Sequence, residues 1–296
     1  MKLEFIATLA SPEVRLRFLA MERSLRAVGC DLPLRVIPYH EGRFDLPRNA
    51  EWWEDAKLCD WLMQWKAHPT MRKYQCLLEK NFQFVDSDVI FLRNPNEVLA
   101  ACEGFITSCG HWKYPNETLT AESESLVSQK STNWQLSIFN TGQWACDRRL
   151  YSFEQLRERC EAEGFRNTCL TFPHHEQPGI NLLVNTSDVV INNVTLPPLR
   201  MESTWAGDYI DAHFERFWVD NQRKPYLIHW AGCDMSKARP IDRLMEDFLL
   251  SDELDAWRQE IRSRSEKTKA IERSLRGRLR RWKRAVMAGA RELSRS

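Results

Sequence analysis

Apolar residues fall along this chain in two rhythms. Leu3 to Leu9 is a short, mostly apolar run with the length of a core strand. Ser11-Pro12-Glu13 then supplies an N-cap, a first-turn proline and an early acid, and Val14, Phe18, Met21, Leu25 and Val28 recur at steps of four, three, four and three up to Gly29. That spacing predicts one buried helix face with Gly29 as its stop. Leu32 to Tyr39 reads as a second strand, so the chain opens β-α-β, a unit that favours a right-handed crossover and a parallel sheet. In such sheets the ligand sits at the carboxyl ends of the strands. Thr8 and Ala10, at the end of the first strand, stand either on a ligand pocket or in plain core.

After a polar loop from His40 to Asn49, Leu58, Trp61, Leu62 and Trp65 share a helical face whose aromatic stripe reads as core. A second helix, about Thr70 to Lys80, carries Arg72 and Lys73 and leads into Phe82 to Pro95. Phe82, Phe84 and Val85 suit an interior strand, and that strand ends in Asp86 and Asp88, one residue apart. Side chains two apart on extended backbone point the same way, so both carboxylates can face one cation. Mg²⁺ or Mn²⁺ held by one or two carboxylates completes its shell with phosphate oxygens and water, which implies a diphosphate ligand. Further on, Phe105 to Cys109 reads as a strand and the polar stretch from Asn116 to Ser131 as a mobile loop. Gln135 onwards reads as a strand ending at Asn140-Thr141-Gly142. Ser152 and Gln155 form a capping box for a helix to about Glu163, ended by Gly164.

The Asp86-Ser87-Asp88 segment, followed by Val-Ile-Phe-Leu-Arg-Asn-Pro, resembles the Asp-x-Asp motif of nucleotide-sugar glycosyltransferases with the GT-A fold. Three more segments follow in the order of glycosyltransferase family 8 and its relatives. Phe139-Asn140-Thr141-Gly142 is similar to the stretch that lines the sugar pocket there. His175-Glu-Gln-Pro-Gly-Ile-Asn181 looks like the Asp-Gln-Asp-x-x-Asn segment, with Glu176, Gln177 and Asn181 at the Asp, Gln and Asn positions and Pro178-Gly179 departing from the pattern. Tyr226 to Pro240 resembles the closing His-x-x-Gly-x-x-Lys-Pro segment through His229, Gly232, Lys237 and Pro240, with altered spacing around the lysine.

The resemblance spans about Leu3 to Pro240 and implies a mainly parallel α/β sheet flanked by helices. It implies Asp86, Asp88 and His229 as ligands of Mn²⁺ or Mg²⁺, Lys237 at the diphosphate and Gly232 in the nucleotide-sugar site. Asn140, Thr141, Gly142, Ser87 and Asn181 would contact the nucleotide-sugar, with Thr8 and Ala10 at base and ribose, while Lys73 either reaches the nucleotide or belongs to a solvated helix face. It further implies a UDP-sugar donor and retention at the anomeric carbon by front-face attack, with Gln177 near that face and Glu176 orienting neighbouring groups. Glu176 as the base of an inverting reaction is the mechanistic alternative. A strand followed by Asp-x-Asp also opens haloacid-dehalogenase phosphatases, with Asp86 as nucleophile and Asp88 as acid and base. A degenerate transferase domain acting as a membrane-recruited scaffold is a third reading.

Composition changes this picture mainly at the C-terminus. Net charge is +1, but residues 258–296 hold 14 Lys/Arg against 4 Asp/Glu, which leaves 28 against 37 in residues 1–257. An acidic body therefore carries a basic tail. Ile271, Leu275, Leu279, Trp282 and Val286 make an apolar stripe on that tail, the composition of a helix lying on anionic lipid or against a partner helix. A final helix docked on the acidic body is the plainer reading, and no nucleic acid is expected. The division predicted is 1–250 for a transferase domain and 251–296 for a helical extension.

No apolar run approaches the roughly 18 residues of a spanning helix, and nine scattered cysteines without a CxxC pair argue against a disulfide framework or structural zinc. A cytoplasmic protein, peripheral at the inner face of the membrane and acting in polysaccharide biosynthesis on a glycan or glycolipid acceptor, is the expectation. Trp205, Asp208, Tyr209, His213 and Trp218 are the candidate acceptor contacts.

Overall fold

The computed structural model describes residues 1–171, 175–218, 220, 223–274 and 276–282. Nine strands are present among them: β1 Phe5–Ala10, β2 Leu34–Pro38, β3 Ala50–Trp52, β4 Phe82–Asp86, β5 Val89–Phe91, β6 Phe105–Thr107, β7 Gln143–Cys146, β8 Ile191–Asn193 and β9 Leu227–His229. Seven form one sheet in the order β3-β2-β1-β4-β7-β6-β8, and β5 with β9 forms a small antiparallel ribbon. The β3-β2-β1-β4 block is parallel throughout, β7 runs antiparallel to both its neighbours, and β8 is parallel to β6. The sheet is thus mainly parallel, with helices on its faces.

Period-two alternation sorts the strand side chains between two cores. Phe5, Ala7 and Leu9 of β1 join Phe82 and Phe84 of β4 in one, whereas Ile6 and Ala10 join Val36 and Val85 in the other. A sheet buried on both faces needs apolar residues at both parities, which is why these strands read as continuous apolar runs.

The helices are α1 Arg15–Ala27, α2 Ala56–Gln64, α3 Pro95–Val98, α4 Ala121–Ser128, α5 Phe153–Glu161, α6 Arg166–Leu170, α7 Glu176–Asn185, α8 Arg243–Glu246 and α9 Ser251–Arg273. α1 is entered through a 3-10 turn over Pro12–Val14, and Gly29 beyond it takes φ +74°, the left-handed conformation of a helix stop. The Ser152–Gln155 capping box of α5 is formed in both directions.

Three local expectations are corrected. Residues Pro69–Leu78 form a 3-10 rather than an α-helix. The polar stretch 116–131 is not a loop: Thr120 caps α4 in a reciprocal box with Ser123, and Ser123 and Val127 are buried. Short polar side chains that satisfy helix-end N–H groups make a polar segment helical without an apolar stripe. Asn140-Thr141-Gly142 precedes strand β7 instead of ending one, because residues 134–137 form a 3-10 turn and Gln143 is the first residue to pair with β4.

The chain forms two units, residues 1–233 with 239–248, and residues 234–238 with 249–296. α9 belongs to the second and ends with Ser274 in extended conformation, and helical backbone resumes at 276–282. Ile271, Leu279 and Trp282 there are exposed, while Leu275 and Val286 of the predicted stripe lie outside the described residues. No helix among the described residues is long and apolar enough to cross a membrane. All nine cysteines are free, and most are buried.

Candidate active site

The site begins where β4 stops. Asp86 keeps the parity of Phe82 and Phe84, so its carboxylate projects towards the face covered by the 69–78 helix and α7. There it meets the Lys73 ammonium, with Nζ 2.8 Å from Asp86 Oδ1 and 2.6 Å from Glu176 Oε1. Ser87 and Asp88 form a turn, so the strand alternation expected to align the two acids ends before Asp88. The turn itself brings the second carboxylate round, and β5 carries the chain on into the ribbon.

His229 arrives through that ribbon. Val89, next to Asp88, is the register partner of His229 in the β5–β9 pair. The Trp230 N–H donates to the Asp88 carbonyl at 3.0 Å, and the His229 N–H donates to the Thr204 carbonyl at 2.7 Å. With the backbone held on both sides, His229 Nε2 lies 3.2 Å from Asp88 Oδ1 and 3.7 Å from Asp86 Oδ2. One ligand atom from each of the three residues falls within 4.8 Å of the others. Two carboxylates and an imidazole form a mixed O/N donor set suited to Mn²⁺, and acceptable to Mg²⁺ if phosphate and water complete the shell.

Gly142 makes room for this cluster. A Cβ there would lie 2.2 Å from His229 Cε1, 2.5 Å from Asp86 Oδ2 and 2.8 Å from Asn140 Oδ1. Its carbonyl accepts the Asp86 N–H at 2.8 Å, so the backbone at 142 presses directly on the donors. The glycine is needed for close approach, since no left-handed φ is involved.

The charges in the site are unequal. Burial pushes the Asp86 carboxyl up, against the pull of Lys73 and His229. Burial opposes ionisation of Asp88 too, but His229 and Arg17 bring it down to about 2. Burial likewise works against Lys73 and Glu176, yet the ion pairs win in both: the ammonium is raised, and the Glu176 carboxyl is lowered. A second imidazole, His111, is pushed down to about 4 by burial first and by His229 second.

A cavity of about 960 Å³ opens over the cluster at the carboxyl ends of β1, β2 and β4. Of the residues named from the sequence, Ala10, Lys73, Asp86, Ser87, Asp88, Glu176, Gln177 and Gly232 line it. Thr8 does not: it is fully buried within β1, paired with Val36 and Val85, its hydroxyl without a hydrogen-bond partner, because it stands two residues short of the strand end where Leu9 and Ala10 reach the cavity. Lys73 is neither a solvated helix residue nor aimed outward. Its three N–H bonds are matched by Asp86, Glu176 and, at 3.5 Å, the Thr141 carbonyl.

Asn181 is fully buried, and its amide is spent on the backbone, accepting from the Phe139 N–H and donating to the Phe139 and Gln177 carbonyls. It therefore ties the 138–142 segment to α7. Asn140 donates to Gln177 Oε1 at 2.9 Å, and the Thr141 hydroxyl to Glu176 Oε1 at 3.0 Å. Lys237 is exposed in a 3-10 turn of the second unit. Of the acceptor candidates, Tyr209 and Trp218 are buried, whereas Trp205, Asp208 and His213 are at least partly exposed.

Arg17, Tyr39, His40 and His175 also line the cavity and were not singled out in the sequence. A signal for three of them was present. Arg17 stands in the first turn of α1, shortly after β1, and Tyr39 and His40 follow the end of β2, the positions that the strand-end rule designates.

No protein-family model matches the sequence, and no curated protein matches it. Solved structures do. The apo WbbM bifunctional glycosyltransferase matches 89% of this chain and is covered over 52% of its own, with a TM-score of 0.57 at 12% identity. The glycosyltransferase GlyE of Streptococcus pneumoniae TIGR4 matches 87% of this chain and is covered over 64%, with a TM-score of 0.50 at 12% identity. The galactosyltransferase LgtC, solved with donor and acceptor sugar analogues, gives 0.48 at 12% identity over 86% of this chain and 99% of that one.

The fold is GT-A. At this identity the likeness is one of fold, and the chain spans little more than half of WbbM and under two thirds of GlyE. Within the GT-A sheet, the Asp86-Asp88-His229 cluster lies at the strand ends where α/β sheets receive their ligands.

Proposed function

We propose that this protein is a metal-dependent glycosyltransferase that moves a sugar from a nucleoside diphosphate sugar, with UDP as the expected carrier, to a hydroxyl of a glycan or glycolipid. The observation that carries the reading is the convergence of Asp86 and Asp88 with His229, which is remote from them in sequence, beside a cavity at the strand ends of a GT-A sheet. Mn²⁺ or Mg²⁺ held there would neutralise the charge that builds on the departing diphosphate. Lys73 holds Asp86 and Glu176 in place. Asn140 and the Thr141 N–H fix the Gln177 amide, which faces the cavity to position the sugar.

Retention is the outcome we assign. Glu176 is buried, ion-paired to Lys73 and hydrogen-bonded by Thr141, and its carboxyl is held below the ordinary range, which makes it a weak base. The acceptor oxygen then bonds to the anomeric carbon on the face from which the diphosphate departs. The bond between that carbon and the phosphate oxygen breaks, and the hydroxyl proton passes to the leaving oxygen. NMR coupling constants of an isolated product decide between this course and inversion. The phosphatase reading gains no support from a cluster whose third member is an imidazole.

We assign catalysis to residues 1–250 and attachment to 251–296. Ile271, Leu279 and Trp282, exposed among arginines and lysines, fit an anionic lipid surface, which would place the protein peripherally at the inner membrane face beside a lipid-linked acceptor. Sedimentation with phosphatidylglycerol vesicles, compared with phosphatidylcholine vesicles, tests the attachment.

The principal test is a melting screen with Mn²⁺ and each common nucleoside diphosphate and its sugar, followed by assay of donor hydrolysis without acceptor. Stabilisation by one nucleotide only when Mn²⁺ is present, together with slow hydrolysis of its sugar, is the result expected. No shift and no turnover with any of them would leave only a scaffold.

A further inference from the structure

The acceptor candidates between Trp205 and Trp218 differ in what surrounds them. Tyr209, Phe214 and Trp218 pack on one another with ring centroids 5.1 to 6.2 Å apart, and the Tyr209 hydroxyl donates to the Ser203 carbonyl at 2.5 Å. These rings are the buried support of the segment. Trp205 is 42% exposed, yet it is held as firmly as a core residue.

The backbone comes first. Trp205 forms a parallel bridge with His229 of the metal cluster, which sets the two chains about 5 Å apart. Thr204 before it is buried, its carbonyl accepting the His229 N–H at 2.7 Å and its hydroxyl accepting from Gln143 Nε2 at 2.6 Å. The indole is fixed as well. Its Nε1–H donates to the Ala231 carbonyl at 2.9 Å, one residue before Gly232 of the cavity wall. A Cβ at Gly207 would lie 2.4 Å from both Cη2 and Cζ2 of the indole and 2.6 Å from Cε2. A point nearly equidistant from three successive atoms of a six-membered ring stands over the face of that ring. The Gly207 backbone therefore backs one face of the indole, and the exposed area falls on the other face and the edges.

We infer that Trp205 is the platform for the acceptor sugar, its open face stacking on the C–H face of a pyranose ring and holding one of that ring's hydroxyls towards the metal-bound donor. The inference rests on the transferase reading and deepens it, because it makes the reacting part of the acceptor a sugar ring. A pyranose gathers apolar C–H bonds on one side and carries its hydroxyls at the rim, so a flat aromatic face takes the first and leaves the second free to react. The indole is ordered before the sugar arrives, so little conformational freedom is lost on binding. An indole that anchors a membrane keeps its N–H for the wet interface, whereas this N–H is spent on Ala231 and only apolar ring is offered.

The experiment is saturation-transfer NMR on the full chain, loaded with Mn²⁺ and whichever of UDP, GDP, ADP and CDP it binds, for wild type, Trp205→Ala and Trp205→Phe. The probes are the methyl α- and β-pyranosides of glucose, galactose, mannose and N-acetylglucosamine. At least one should take up saturation from the wild type, most strongly at the ring protons of one face. Trp205→Ala should weaken that pyranoside about fivefold to thirtyfold, as truncating an aromatic anchor does, with Mn²⁺ and nucleotide affinity retained. Trp205→Phe keeps a flat ring and should fall between, and it carries the test if the alanine variant melts early. Unchanged pyranoside affinity in Trp205→Ala, an equal loss of nucleotide affinity, or no pyranoside bound by a wild type that binds a nucleotide overturns the inference and leaves the transferase reading standing. So does a loss confined to sedimentation with phosphatidylglycerol vesicles, which would make Trp205 a membrane contact. A wild type that binds none of the four nucleotides overturns both.

Discussion

Replacing Gly142 by alanine should damage the metal cluster without touching a ligand. The added methyl carbon would stand 2.2 Å from His229 Cε1 and 2.5 Å from Asp86 Oδ2, well inside the 3.4 Å at which ordinary contact begins. Neither neighbour yields easily. The His229 backbone is held by β5 and the Thr204 carbonyl, and Asp86 by the Gly142 carbonyl and Lys73. Relief therefore requires a displacement of roughly 1 Å shared among donors whose distances to a metal tolerate only about 0.2 Å.

The overpacking itself should cost about 1–3 kcal/mol of stability. The loss of ligand geometry should weaken Mn²⁺ by about tenfold to hundredfold, the range for disturbing groups that orient metal ligands. Titration calorimetry or the electron paramagnetic resonance signal of free Mn²⁺, read beside a melting curve, separates the two effects. A Gly142→Ala protein that binds Mn²⁺ as the wild type does would refute the convergence of Asp86 and His229 at this glycine.

Lys73→Met should leave Asp86 and Glu176 as unpaired, largely buried carboxylates, at a cost of about 3–5 kcal/mol that thermal unfolding at neutral pH would register; an unchanged melting temperature would deny the ion-pair triad. Asn181→Ala removes the clamp on both backbone groups of Phe139, each worth about 1–3 kcal/mol when left unsatisfied, and should raise the KM for donor more than that for acceptor. Asp88 has its carboxyl lowered from 3.8 to about 2, so it contributes stability that is fully present above pH 3.8 and is lost as pH falls towards 2. In metal-free buffer, Asp88→Asn should flatten the acid limb of stability in that window, and an identical limb would contradict the His229–Asp88 pairing.

How much of this was legible in the sequence depended on whether a feature is local. The β-α-β opening followed from apolar spacing and the Gly29 stop, because both are settled within a few residues by backbone sterics and helix periodicity. The α4 helix escaped notice since its support is a cap, with no stripe to announce it. Asp86, Asp88 and His229 were nameable as a set through motif order, but composition and spacing say nothing of how an imidazole 141 positions after Asp88 reaches it. The β5–β9 ribbon does that, through one register pair beside the Ser87–Asp88 turn.

Residue type and order determined the sheet, its buried faces and the identity of the acids. The three-dimensional structure decided which of the named polar residues face the cavity. Thr8 and Asn181 are buried because one stands inside a strand paired on both sides and the other's amide is spent on backbone partners. Lys73 belongs to Asp86 and Glu176 because two segments far apart in the chain close around it. Arg17 reaches the cavity because α1 starts where β1 ends. Pairings of that kind are free energies between distant segments, set by packing and register, and no window of sequence contains both partners.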